Sequence, residues 1–219
     1  MNQPSVTKQE LEIIGKNWEF FKKLAGKITR DSSNITAFLE FLEEDKTFLT
    51  SPASTRHEYT GCYHGGLLEL SLKTIEKIIL LKKHVYDKKN ISNDSLLLVG
   101  LFGNIGKIGL NLPKKTETKT EEYYLPQTSD WHRKQGQLYT INPVLSHWNV
   151  GQLSLFNLSN HGISLTDEEW FTINALHSYK EEAVTTFLKE SQPELLLISK
   201  QGTELAALEL KNKLSTTSV

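Results

Sequence analysis

The chain has 219 residues, 38 % of them hydrophobic and 23 % charged, with a formal net charge of −1. That is enough material for a folded domain with a real core, and the near-neutral balance supplies no overall attraction to nucleic acid or to an anionic membrane. The single cysteine, Cys62, excludes an internal disulfide and suits a reducing compartment. No charged-then-apolar leader opens the sequence and no apolar run reaches ~18 residues, so the expectation is a cytoplasmic protein without a membrane span.

Thr7 to Lys27 reads as the first helix. Thr7 and Glu10 make a capping-box pattern, and Leu11, Ile14, Trp18, Phe21 and Leu24 follow at helical spacing. Ser33 to Leu49 reads as one second helix with Ile35, Phe38, Leu39 and Leu42 on its apolar side. A polar, turn-rich run from Thr50 to Gly61 leads to Gly65-Gly66 and a helix over about Leu67 to Tyr86, whose lysine-rich outer face predicts a solvated surface. Asn93 or Asp94 is placed to cap the helix that follows.

In that next stretch, Ser95 to Leu110, the apolar residues point in every direction around a helix, which predicts a helix buried on all sides. Gly100, Gly103, Gly106 and Gly109 recur within it. In a helix interior each costs about 1 kcal/mol against Ala, so packing has to offset on the order of 4 kcal/mol. Close approach of neighbouring backbones is the expected reason.

Lys114 to Glu122 is charged and threonine-rich and reads as an exposed loop. Glu122 to Leu125 and Gln137 to Ile141 have the β-branched and aromatic character of two short strands. Between them lie Trp131, His132, Arg133 and Lys134, a basic-aromatic loop and candidate binding surface; nucleic acid remains the less favoured partner for it. Three closing helices are predicted: Ser146 to Ser159, Thr166 to about Lys189 behind a Thr166–Glu169 capping box, and Pro193 to Lys213. Leu214 to Val219 reads as a frayed tail.

The run Leu101-Phe102-Gly103-Asn104-Ile105-Gly106-Lys107-Ile108 resembles the LLHDIGKI-type signature of the HD superfamily of metal-dependent phosphohydrolases. Around it, Pro52 to His57 and Gly65 to Leu72 are similar to two upstream blocks of the branch found in phages and Gram-positive bacteria. His147 to Gly151, Leu165 to Glu169 with Ala175-Leu176-His177, and Gly202 to Ala206 match later blocks. The resemblance implies a mostly α fold, an HD-like helical bundle with a small two-stranded β insertion. Residues 1–50 would then be N-terminal helices packed on an HD-like domain over 51–213, with the insertion at 110–142 and the tail at 214–219.

It also implies an altered site. Family members hold one or two divalent ions that activate water on a phosphate ester. Here the four core ligand positions fall on Leu70, Gly103, Asn104 and Thr203, and leucine and glycine offer no side-chain donor. No metal or other cofactor is therefore expected. Lys107, His147 and His177 complete the degenerate pocket. Three functions stay open: a catalytically inactive scaffold that binds a partner protein, the leading reading, with a phage or mobile-element accessory factor of the host cytoplasm implied; a metal-free binder of nucleotides or nucleotide-like messengers; and a residual hydrolase with metal ligands relocated to His57, His64, His147 and His177.

Overall fold

The expected capping box opens the first helix, α1 (Lys8–Ala25): the Thr7 hydroxyl accepts from the Glu10 amide, and the Glu10 carboxylate accepts from the Thr7 amide at 2.7 Å. The structure is a computed structural model and describes residues 6–113, 118–178 and 193–216. It is mostly helical, with two small two-stranded antiparallel sheets. No helix among the described residues is long and apolar enough to cross a membrane.

The single helix expected over Ser33 to Leu49 is two, α2 (Ser32–Asp45) and α3 (Thr47–Thr50). Lys46 between them has φ 61°, an uncommon left-handed conformation for a residue with a side chain. The Asp45 carboxylate secures the break by accepting from the Thr47 amide and from the Thr120 hydroxyl. The change of direction lets Phe48 enter the core. There it meets Phe21 at 5.1 Å between ring centroids, and Phe21 in turn meets Phe102 at 5.4 Å. The first fifty residues thus share one apolar core with the rest of the chain.

Helix α4 (Gly66–His84) starts where expected, and α5 (Asn93–Phe102) packs against it. Ser92 is the N-cap residue of α5, with no side-chain capping bond. Asp94, expected as a cap, instead accepts from the backbone amides of Thr29 and Arg30 and from the Thr29 hydroxyl.

The glycine-bearing run is buried apart from half-buried Lys107, but it is not one helix. α5 ends at Phe102, a 3-10 turn covers Ile105–Ile108, and strand β1 (Gly109–Pro113) begins at a glycine with φ 106°. Only Gly100 lies inside the α-helix, so the expected fourfold propensity cost reduces to one. Helix α7 (Val150–Asn160) supplies the reason. Ser154 Oγ accepts from the Gly106 amide at 2.8 Å, and Asn157 donates to the Gly109 carbonyl at 2.9 Å. These bonds replace the helical ones that the segment forgoes.

The insertion holds two hairpin-like pairs where one was expected. β1 pairs antiparallel with β2 (Thr118–Glu122), Gly109 opposite Glu122, so the latter part of the expected Lys114–Glu122 loop is a strand; residues 114–117 lie outside the described residues. β3 (Tyr124–Pro126) pairs with β4 (Tyr139–Ile141), Tyr124 opposite Ile141, close to the expected strands. Between them, Asp130–Lys134 forms a short helix, α6, capped by Ser129, in place of a loop.

A second capping box, Asn149 with Gln152, starts α7 four residues later than expected, and a third, Thr166 with Glu169, starts α8 (Asp167–Leu176). The extension of that helix toward Lys189 falls on 179–192, outside the described residues. The last helix, α9 (Glu194–Thr216), follows Pro193 and includes Leu214 to Thr216, expected to fray; 217–219 lie outside the described residues. α9 runs antiparallel to α4. Gly202 sits against Ile78 and Thr74, whereas Glu209 reaches back to Lys73 at 2.7 Å and to Lys77.

Candidate functional site

A cavity of about 320 Å³ opens between α4, the 3-10 turn after α5, the end of α8 and α9. α4 contributes Leu70, the turn Asn104 and Lys107, and α8 with its C-cap Leu176 and His177. One face of α9 contributes Lys200, Thr203, Glu204 and Ala207. Ala53, Ser54, Tyr59 and Thr60 of the loop before α4 close the remaining side. Exposed Tyr59 and Glu204 stand at its solvent edge.

Lys107 is the chemical centre. Its Nζ donates to the Ala53 carbonyl at 2.8 Å, and the Tyr124 hydroxyl donates to the same oxygen at 3.0 Å. Part of the lysine surface faces the cavity while protein encloses the rest, and this burial lowers its pKa from 10.5 to about 8. No carboxylate among the described residues forms an ion pair with it. Two lysines of α4 show the contrast: Lys73 and Lys77 both reach Glu209.

His177 lies in the same cavity with Nε2 3.3 Å from the Gly103 carbonyl. A carbonyl oxygen only accepts, so Nε2 carries the proton and Nδ1 is the acceptor. Burial first, and the nearby Lys107 charge second, bring its pKa down to about 4, which keeps the ring neutral at pH 7. Asn104 is 2 % exposed. It borders the cavity.

Of the seven residues expected in the degenerate pocket, Leu70, Asn104, Lys107, His177 and Thr203 border this cavity. Gly103 lies just beneath and contributes its carbonyl. It has no room for a side chain: a Cβ there would come within 2.5 Å of the Val99 carbonyl oxygen. His147 is exposed, beside Trp148, and is not part of the cavity, because the turn before α7 directs it outward.

The other histidines are scattered. His57 is exposed, and His64 borders a separate small pocket beside Thr50 and Glu122. Among the described residues no three His, Cys, Asp or Glu side chains group as metal ligands would. Cys62 is buried, and burial raises its thiol to about 11. Trp131 is 66 % exposed on α6 with His132 against its ring, and Arg133 is tied to Asp130; neither they nor Lys134 line the cavity.

Sequence reasoning missed Tyr59, Thr60 and Lys200. Lys200 was findable: with Thr203, Glu204 and Ala207 it makes an i, i+3, i+4, i+7 stripe down one helix face. The loop residues carried no such signal. No protein-family model matches the chain, and no curated protein or solved structure is significantly similar to it.

Proposed function

We propose that this chain is a metal-independent binding protein for a small anionic ligand of nucleotide size or below, held in the cavity around Lys107. One observation carries the reading: a largely enclosed ammonium with which no carboxylate among the described residues forms an ion pair. An unpaired charge in a poorly solvated site is costly, and a bound phosphate or carboxylate offsets that cost. The Asn104 amide offers both a donor and an acceptor to the same ligand. The cavity falls at the small end of ligand sites. The HD resemblance supports the same place, since three of the four positions it marks as former ion ligands border this cavity. We take the chain to be an inactive relative of that superfamily on this basis.

The test is a thermal-shift panel of inorganic phosphate, nucleoside monophosphates and nucleoside diphosphates on the protein and on Lys107→Met. A ligand at 100 times its Kd adds about 2.7 kcal/mol, or about 5 to 10 °C for a chain of this size. The shift should vanish in the variant. A flat panel at millimolar concentrations overturns the reading.

The partner-protein scaffold is the second reading, favoured by the exposed Trp131 on α6, Leu138 just before β4 and Ile141 at its end. Loss of a stoichiometric partner on Trp131→Ala would support it.

A further inference from the structure

The same cavity invites a different chemistry from ion pairing. Several lysines on the described helices are held as ammonium ions by carboxylates, as Lys22 is by Glu19 and Glu43 and as Lys73 is by Glu209. Among the described residues the Lys107 amine bonds to a backbone carbonyl, which orients it without fixing its charge. Its backbone is anchored: the preceding Gly106 is tied to α7 by the bond to Ser154. The walls beside it, Leu70, Leu176 and Ala207, are apolar. A directed, poorly hydrated and unpaired amine at the bottom of a solvent-connected cavity is the setting in which lysine acts as a nucleophile.

We infer that Lys107 captures a small carbonyl compound, an aldehyde or 2-oxo acid, as an imine, with Asn104 and His177 as the polar groups that serve the condensation. The neutral amine's lone pair attacks the carbonyl carbon and forms the N–C bond, while the π pair of C=O moves to oxygen. The Asn104 amide is available to donate to that oxygen. His177 Nδ1, the acceptor of the ring, relays the two nitrogen protons in turn: the first turns the alkoxide into a hydroxyl, and the second goes to that hydroxyl as it leaves as water. The nitrogen lone pair then completes the C=N bond. Amine and carbonyl give imine and water, with no oxidant or reductant required. With its value near 8, about a tenth of Lys107 is neutral at pH 7, against about one part in several thousand for a surface lysine.

The inference shares its cavity with the anion-binding reading but does not need an anion. The probe is glyoxylate, with pyruvate in parallel, added to the full chain with sodium cyanoborohydride, which reduces the imine to a stable secondary amine. Intact mass and peptide mapping follow the adduct. One adduct per chain is expected, at Lys107, forming at least about tenfold faster than at any other lysine. Lys107→Met should abolish it, with folding checked by circular dichroism.

Should that variant not fold, the parent protein still decides by its pH profile. The Lys107 rate should level off above pH about 8, while surface lysines keep accelerating toward pH about 10. Adducts spread over surface lysines with no preference for Lys107, or a Lys107 rate that tracks theirs with pH, overturn the inference. Trapping at Lys107 with a flat phosphate and nucleotide panel removes the anion reading alone. The converse pair of results removes the imine alone.

Discussion

Replacing Gly106 by alanine would drive a methyl group into the backbone of α7. Its Cβ would stand 2.1 Å from the Val150 carbonyl oxygen, 2.6 Å from the Ser154 amide nitrogen and 2.7 Å from Leu153 Cβ. Two of these atoms are helix backbone and have no rotamer by which to yield. Overpacking of this kind costs about 1 to 3 kcal/mol, and here the upper end applies. Separating the 3-10 turn from α7 also breaks the buried bond from the Gly106 amide to Ser154, worth about another 1 to 2 kcal/mol. The sum is about 4 kcal/mol, a large share of the roughly 5 to 15 kcal/mol that holds a domain folded. Urea denaturation monitored by tryptophan fluorescence reads it directly, and the melting point should fall by about 8 to 16 °C. Gly15→Ala is the control: nothing lies within 4 Å of the added Cβ, and helix propensity should make it neutral or stabilising by up to about 1 kcal/mol. If Gly106→Ala melts within 2 °C of the parent, α7 does not press on this turn and the placement of Lys107 has to be rethought.

Lys107 should leave a signature in stability against pH. Its folded-state value near 8 lies below its ordinary 10.5, so between those pH values the unfolded chain holds the proton and native stability rises with pH. Below pH 8 the buried charge should make the parent less stable than Lys107→Met by on the order of 1 to 3 kcal/mol. That gap should close as pH climbs through the window; parallel denaturation curves for the two proteins would contradict it. Glu169→Gln removes a fully buried carboxylate that accepts twice from Arg30, at 2.8 and 2.6 Å. Discounted for the partial exposure of Arg30, the loss should be about 2 to 4 kcal/mol, and Arg30→Met added to it should recover part of that. Leu70→His, Asn104→Asp and Thr203→Asp together should create a cobalt site visible by its ligand-field absorption. A folded, colourless variant would show that the HD-type register of these positions is wrong. Trp131→Ala should shift stability by less than about 0.5 kcal/mol, since the ring lies mostly in solvent.

The helix starts were the most legible part of the chain, because each is a local event. Thr7 with Glu10 and Thr166 with Glu169 form the reciprocal bonds their spacing predicts, and Pro193 immediately precedes its helix. The run from Ser95 to Leu110 was half legible. Its burial follows from apolar residues on every side, but a segment apolar all round has no periodicity to tell helix from 3-10 turn from strand. The break after α2 was invisible for a related reason: Lys46 carries no turn signal, and what holds it is Asp45 reaching Thr120, a partner 75 residues away.

The site divides along the same line. Leu70, Asn104, Lys107, His177 and Thr203 were singled out by motif resemblance, and all five border one cavity. His147 matched a motif equally well and points to solvent, since a motif records residue order and not the direction a turn gives a side chain.

The amino-acid order alone determined a mostly helical chain, where most of its helices begin, and which residues must be buried, because capping and amphipathic spacing act over a few residues. Only the tertiary structure decided that no carboxylate among the described residues pairs with Lys107, that Asn104 lines the same cavity, and that Gly103 has no room for a side chain. Those properties depend on what the other helices bring within a few ångströms, and local spacing carries no record of that.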